Sequence, residues 1–499
     1  MTVDKVQIWA LGVIALCGVA VAQDSVTPAI RDVPYWLSYF DARRAEAEKE
    51  DFDVVFLGDS ITHNWESTGT NVWAANFAEG PYRALNCGIW GDRTEQLLWR
   101  VEHDQLAGRQ PKVIVLMIGT NNTGHRDLAH ESPTDTILGI QSVVESLKSR
   151  FPYTKIVLHP IFPRGATTDD PLRVRNDLVN SAIRQFADGE RVLWCDFNAR
   201  LLTVDGVLEK SMSPDLLHPA ERGYEIWAEE LKPYLDFALG RSASLPKPSC
   251  GPAPTAVGKE SPHTVRPEIS KYWLQFCKFD ERRRMFEKRA AERANADGYY
   301  DAIWLGDSIT HLWETDWTGG PTVFREKFGN YKILNAAFGG DKVENTLWNI
   351  RYGGFLDGVR TRIVSLMIGT NNTWGDSAED IAAGIGACVK AIREKQPQAK
   401  VLLFALLPRE VAHDRGNRKL RRENANVYEI LPKIGRINEL IRGYADGKDV
   451  LFVDLTGEFT DADGRPDIRL LIDGTHPSSV GYAAMADAVL PTYRKILGR

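Results

Sequence analysis

Short, nearly unbroken apolar runs recur along the chain at 54–57, 113–118, 156–158 and 192–194, and again at 302–305, 363–368, 401–407 and 450–453. Runs this short and this continuous fit strands buried on both faces, the condition of a parallel sheet covered by helices. Between them the period changes. Ile137, Ile140, Val144 and Leu147 recur at steps of three and four, as do Ile381, Ile385, Cys388 and Ile392. That spacing is the stripe of an amphipathic helix. Strand–helix alternation predicts an α/β fold with right-handed crossovers and helices on both faces. In open sheets of this kind ligands bind beyond the carboxyl ends of the strands. The polar motifs of this chain each follow an apolar run, so the pattern sends them all to that edge.

Those motifs come in pairs. Phe56-Leu-Gly-Asp-Ser-Ile-Thr-His-Asn-Trp65 returns as Trp304-Leu-Gly-Asp-Ser-Ile-Thr-His-Leu-Trp313. Leu116-Met-Ile-Gly-Thr-Asn-Asn-Thr123 returns as Leu366-Met-Ile-Gly-Thr-Asn-Asn-Thr373, and Asp215-Leu-Leu-His-Pro219 as Asp473-Gly-Thr-His-Pro477. Gly223-Tyr224 and Gly481-Tyr482 follow the last pair. Order is kept and the spacing grows only slightly, so a whole domain is duplicated. The expected units are residues 28–240 and 268–499, joined by a linker at 241–267 rich in Pro, Ser, Gly and Ala. A length of 499 residues accommodates both.

Composition narrows the class. A net charge of −6 offers nothing to a nucleic-acid backbone. Lys5, the apolar run 8–22 and Ala20-Val21-Ala22 before Gln23 have the layout of a secretory signal. Cleavage is expected after Ala22, giving a secreted or periplasmic protein; an N-terminal membrane anchor is the competing reading. The run is shorter than the roughly 20 residues a span needs. Beyond it stand Cys87, Cys195, Cys250, Cys277 and Cys388, scattered and without CxxC. That is neither a disulfide framework nor a metal site, so no metal is expected.

Ser60 and Ser308 each follow Gly-Asp after the first strand of their copy. A serine there could be a helix cap or a nucleophile that needs a base. Thr62 and Thr310 stand where a nucleophile elbow has its second glycine, which argues against an α/β-hydrolase. His218 and His476 can supply the base, each three residues after Asp215 or Asp473, close enough to be oriented by it. Gly91 and Gly340, with Asn121 and Asn371, offer donors for a developing oxyanion. Turn-forming roles are the bland alternative for each. The complete set in both copies favours catalysis.

The order Gly-Asp-Ser, Gly, Gly-x-Asn, Asp-x-x-His resembles the SGNH (GDSL-type) hydrolases, and within them the catalytic subunits of platelet-activating-factor acetylhydrolase Ib. Asn86-Cys-Gly-Ile-Trp-Gly-Asp92 and Leu-Leu-Pro-Arg at 406–409 support the likeness. The resemblance implies two tandem flavodoxin-like α/β/α domains, each with a five-stranded parallel sheet ordered 2-1-3-4-5. It implies Ser60 and Ser308 as nucleophiles, and His218 and His476 as bases oriented by Asp215 and Asp473. It also implies an oxyanion hole from the Ser N–H, Gly91 or Gly340, and Asn121 or Asn371, with no metal or organic cofactor. Ala337 departs from the pattern where the first copy has Gly88, and the second copy has a longer basic segment at 413–422.

The expected activity is hydrolysis of short acyl esters, acetyl first, on a small acylated substrate or a polysaccharide. A carbohydrate-binding protein with silent sites and a lipid acetylhydrolase are the alternatives. Trp90 and Trp374 lie on different loops beside the oxyanion donors and are the candidate pocket walls.

Overall fold

The computed structural model describes residues 24–78, 80–126, 131–256, 264, 266–270, 298–409 and 427–499. The segment ending at Ala22, Cys277 and the basic segment 413–422 lie outside the described residues.

The first copy contains α1 (Pro34–Lys49), β1 (Val54–Gly58), β2 (Ala84–Gly88), α2 (Thr94–Glu102), β3 (Val113–Met117), α3 (Pro133–Arg150), β4 (Lys155–Leu158), α4 (Pro171–Ile183), β5 (Val192–Trp194) and α5 (Glu221–Ala238). The second contains β6 (Tyr299–Gly306), β7 (Ile333–Asn335), α6 (Val343–Arg351), β8 (Arg360–Met367), α7 (Ala378–Lys395), β9 (Lys400–Phe404), α8 (Val427–Arg442), β10 (Val450–Val453) and α9 (Ser479–Leu497). The sheets run β2-β1-β3-β4-β5 and β7-β6-β8-β9-β10, with every pairing parallel. Both match the expected five-stranded order. In each, the first strand lies between the next two, so successive connections leave it in opposite directions. That reversal opens a crevice above the carboxyl end of β1 and of β6.

Strand side chains alternate between two cores. Val55 and Leu57 face the layer of α2, α3 and α4, while Val54 and Phe56 face that of α5. Each face is apolar, which is why the sequence run is continuous rather than alternating. The helical stripes land as their spacing requires: Ile137, Ile140, Val144 and Leu147 are buried in the first copy. Ile381, Ile385, Cys388 and Ile392 are buried in the second. Ser132 caps α3 by accepting from Asp135 N at 3.2 Å, and the Asp135 carboxylate accepts from Ser132 N at 2.8 Å. Among the described residues no helix is long and apolar enough to cross a membrane.

The copies pack on each other. Trp348, on α6, is 1% exposed and belongs to the same apolar cluster as Ile137, Leu147 and Ile156 of the first copy. Its indole N–H donates to Thr134 Oγ1 on α3 at 2.7 Å. In return, Val26 and Leu138 of the first copy join the core of the second. The matching residue of the first copy, Trp99, instead stacks on His103 and meets the ring of Trp36 edge-on.

Candidate active site

Asp59, not Ser60, takes the capping role at the end of β1. Its carboxylate accepts from Ile61 N at 3.0 Å and so is itself the cap of the short helix Ser60–His63. The serine hydroxyl is left for another partner. Asp307 and Ile309 repeat the bond at 3.0 Å beside Ser308. Gly58 has no freedom to be anything else: a Cβ there would lie 2.2 Å from Thr62 Oγ1 and 2.4 Å from Met117 O. The repeated Gly-Tyr pair also acquires a meaning. Tyr224 donates its hydroxyl to Ile61 O at 2.7 Å, and Tyr482 to Ile309 O at 2.8 Å, so the last helix of each copy ties down the serine turn.

The partner of each serine is the expected histidine. Ser60 Oγ lies 2.9 Å from His218 Nε2, and Ser308 Oγ lies 2.8 Å from His476 Nε2. On the far side of the ring, His218 Nδ1 is 2.6 Å from Asp215 Oδ2 and His476 Nδ1 is 2.7 Å from Asp473 Oδ2. The other carboxylate oxygen accepts from the histidine's own backbone N–H, at 2.7 Å in the first copy and 2.8 Å in the second. The three-residue spacing thus lets one Asp hold both ends of its histidine. Burial pushes the Asp473 carboxyl up, but the His476 ring and backbone bonds outweigh it and hold it at about 2. Asp215 is held below the ordinary value in the same way. Between Asp and His the chain passes through the left-handed region, at Gly474 (φ 82) in the second copy but at Leu216 (φ 60) in the first. The first copy therefore carries local strain that the second avoids.

A cavity of about 390 Å³ opens above Ser60, lined by Trp90, Gly91, Asn121 and His218 among others. Gly91 and Gly340 adopt φ of 73 and 85, a conformation that favours glycine. One N–H of the Asn121 amide donates to Asp92 O at 2.9 Å, and that of Asn371 to Asp341 O at 2.8 Å. This fixes each amide and leaves its second N–H for a ligand.

Trp90 joins the cavity as expected. It is 42% exposed, with its N–H donated to Asn64 Oδ1 at 2.8 Å. In the second copy, Trp374 is exposed with the Arg409 guanidinium 4.8 Å over its ring. The aromatic ring beside His476 there is Trp317, edge-on at 5.7 Å. Sequence reasoning missed Trp317, and also Arg31 and Tyr35, which reach the first cavity from before β1. The only signal for Trp317 is the longer segment after Glu314, compared with that after Glu66.

Asp59 and Asp307 are fully buried, and in each one carboxylate oxygen has no hydrogen-bond partner. Burial pushes Asp59 up to about 7 and Asp307 to about 6. A carboxyl with a raised folded-state pKa contributes fully below its unfolded value near 4, and that contribution fades as pH rises through the folded value. Asp59→Asn keeps an acceptor for Ile61 N and removes the titration. Its effect on stability should therefore shift in favour of the variant between pH 4 and pH 7, by up to about 4 kcal/mol. Denaturant melts of both proteins at the two pH values test this. A difference that does not change with pH would refute it.

Among the described residues no group of three or more His, Cys, Asp or Glu is placed to hold a metal ion.

The chain matches the GDSL-like Lipase/Acylhydrolase family over residues 56–226 and again over 304–484. It is 31% identical over 220 residues to platelet-activating factor acetylhydrolase IB subunit alpha1 of Homo sapiens, covering 44% of this chain and 90% of that protein. It is 31% identical over 191 residues to the alpha2 subunit of Mus musculus, covering 38% and 78%. Among solved structures, a GDSL-like lipase from Bacteroides thetaiotaomicron aligns with a TM-score of 0.34 at 18% identity, over 42% of this chain and 97% of that one. An acetylxylan esterase from Geobacillus stearothermophilus aligns with a TM-score of 0.31 at 24% identity, over 36% and 93%. With two family matches, each enclosing its own serine, the chain is a carboxylic ester hydrolase belonging to the GDSL-like lipase/acylhydrolase family.

Proposed function

We propose that both copies are serine esterases for short acyl groups, acetyl first, carried on carbohydrate outside the cytoplasm. The observation that carries this reading is the unbroken hydrogen-bonded chain from serine through histidine to aspartate in each copy. Ser60 or Ser308 attacks the ester carbonyl while His218 or His476 takes the hydroxyl proton at Nε2. The oxyanion is met by the Ser N–H, the Gly91 or Gly340 N–H and the Asn121 or Asn371 amide. Collapse of this intermediate breaks the bond to the alcohol, which leaves with the proton from histidine. Water, deprotonated by the same histidine, then releases the acid and restores the serine. Asp215 or Asp473 orients the ring and stabilises the imidazolium.

Support for acetyl comes from the acetylhydrolase relatives, 90% of whose length the chain spans. Support for a sugar alcohol comes from the exposed rings of Tyr35 and Trp90 on the rim of an open cavity. Export rests on the N-terminal pattern of residues 5–23. The test is an acyl-length series of nitrophenyl esters beside acetylated sugars. Acetyl should be preferred, and acetylated sugar should be cleaved with release of acetate. A preference for long acyl chains, or for acetylated phospholipid over acetylated sugar, would overturn it.

Trp90 gives the reading a local handle. In a Ser308→Ala background, Trp90→Gly should raise KM for acetylated sugar about tenfold, the value of one lost aromatic contact, and leave nitrophenyl acetate turnover within about threefold. An unchanged KM would remove the ring from the substrate path.

A further inference from the structure

Away from the serine cavity, α4, the end of β5 and the linker enclose a cleft of about 340 Å³ that shares no residue with it. Its wall includes Asp177, Gln185, Trp194 and Asn198, with Arg184 and Arg266 at the same cleft. Three of these bring buried acceptor oxygens with no hydrogen-bond partner among the described residues: Asp177 Oδ2, Gln185 Oε1 and Asn198 Oδ1, although Asp177 is also hydrogen-bonded by Thr255 of the same cleft. Asn198 is 5% exposed, and its amide orientation is fixed because Nδ2 donates to Ile161 O at 3.0 Å. Unsatisfied buried oxygens are costly and uncommon in native folds, so a concentration of them in one cleft needs a reason.

The duplication supplies a control within the same chain. Asn180 Nδ2 donates to Ile161 O just as Asn438 Nδ2 donates to Leu406 O, and Asn198 N donates to Asp196 just as Thr456 N does to Asp454. These paired bonds fix the alignment without gaps between them. Asp177, Gln185, Trp194 and Asn198 then stand opposite Gly435, Gly443, Phe452 and Thr456. The second copy has none of the three acceptors. There Arg442 pairs with Asp454 and lies 4.4 Å over the Phe452 ring. In the first copy the corresponding Arg184 and Asp196 both line the cleft, where the Arg184 charge acts on Asp196. The fold itself therefore does not demand this polar wall.

We propose that the first copy carries a second ligand site in this cleft, for a neutral, hydroxyl-rich molecule the size of a single sugar residue. Three acceptors call for a ligand that brings several donors, and hydroxyl groups donate as well as accept. Three acidic groups (Asp177, Asp196, Glu268) against two arginines leave only a small negative balance, which disfavours a strongly charged ligand. The volume is at the lower end of the roughly 300–1,000 Å³ of small-molecule sites. The site is independent of the ester chemistry, because no catalytic group reaches it.

The test grafts the second copy's residues onto the first in the full chain: Asp177→Gly, Gln185→Gly, Trp194→Phe and Asn198→Thr together. Ligand-observed NMR titrations follow D-glucose, D-xylose, N-acetyl-D-glucosamine and inorganic phosphate. Wild type should bind at least one sugar saturably in the millimolar range, and the grafted chain at least tenfold more weakly. Turnover of nitrophenyl acetate should be unaffected, which separates this site from the catalytic one. Should the graft fail to fold, Asn198→Thr alone must weaken the same sugar. No saturable sugar binding, equal binding by the variant, displacement of sugar by phosphate, or a sugar-soaked crystal with only ordered water in the cleft would each overturn the proposal.

Discussion

Ser60→Ala together with Ser308→Ala should lower ester turnover by about 10⁴- to 10⁶-fold, while either change alone should leave the activity of the other copy. The expectation follows from geometry that is the same in both copies. Each serine sits within 3 Å of its own histidine, at 2.9 and 2.8 Å, and each histidine within 3 Å of its own aspartate, at 2.6 and 2.7 Å. No residue of one chain of bonds is borrowed from the other copy. Substrate-dependent partial losses in the single variants would measure how the copies share the work. Complete loss in either single variant would show that the two sites are not independent.

Arg100→Ala should destabilise the protein by about 3–5 kcal/mol, the usual result of leaving a buried carboxylate without its cation. Arg100 and Asp92 are both 0% exposed and their charged groups are 2.7 Å apart. The guanidinium also donates to Cys87 O at 2.7 Å and Gly58 O at 3.2 Å, at the ends of β2 and β1. It therefore braces the turn that presents Gly91. The second copy solves the same problem differently. Asn349 stands in place of Arg100 and donates to Asp341 Oδ2 at 2.9 Å. Burial, with Asp307 nearby, pushes the Asp341 carboxyl well above the ordinary range. Arg100→Asn should accordingly cost less than Arg100→Ala. Denaturant melts would show whether it does, and equal losses would discount the amide as a substitute.

Four strands of each sheet were legible because both their faces are apolar. β2 and β7 were not, since the polar Asn86 and Asn335 interrupt them. Each asparagine is buried and donates to a carbonyl of the serine turn, His63 O at 3.3 Å and Thr310 O at 2.9 Å. Their place in the sheet came from the family resemblance alone. The triads were legible because Asp and His are three residues apart and because every element appears twice. Trp317, Arg31 and Tyr35 were not, because their position depends on how loops of unequal length and the first turn of α1 pack over the crevice. Trp374 lies under the Arg409 guanidinium, whose charge acts on Asp307 and Asp473, a contact that its neighbourhood in sequence does not reveal. Nor could the stripe of α6 reveal which core it enters, since an apolar helix face reads alike whichever copy covers it.

Trp348 has a consequence for how the chain comes apart. It is a residue of the second copy filling the core of the first, so melting either copy strips apolar cover from the other. The two copies should then unfold as one cooperative unit rather than failing in turn, and calorimetry should record a single heat-absorption peak. Truncating this indole would turn that peak into two, converting a tandem enzyme into two enzymes on a string.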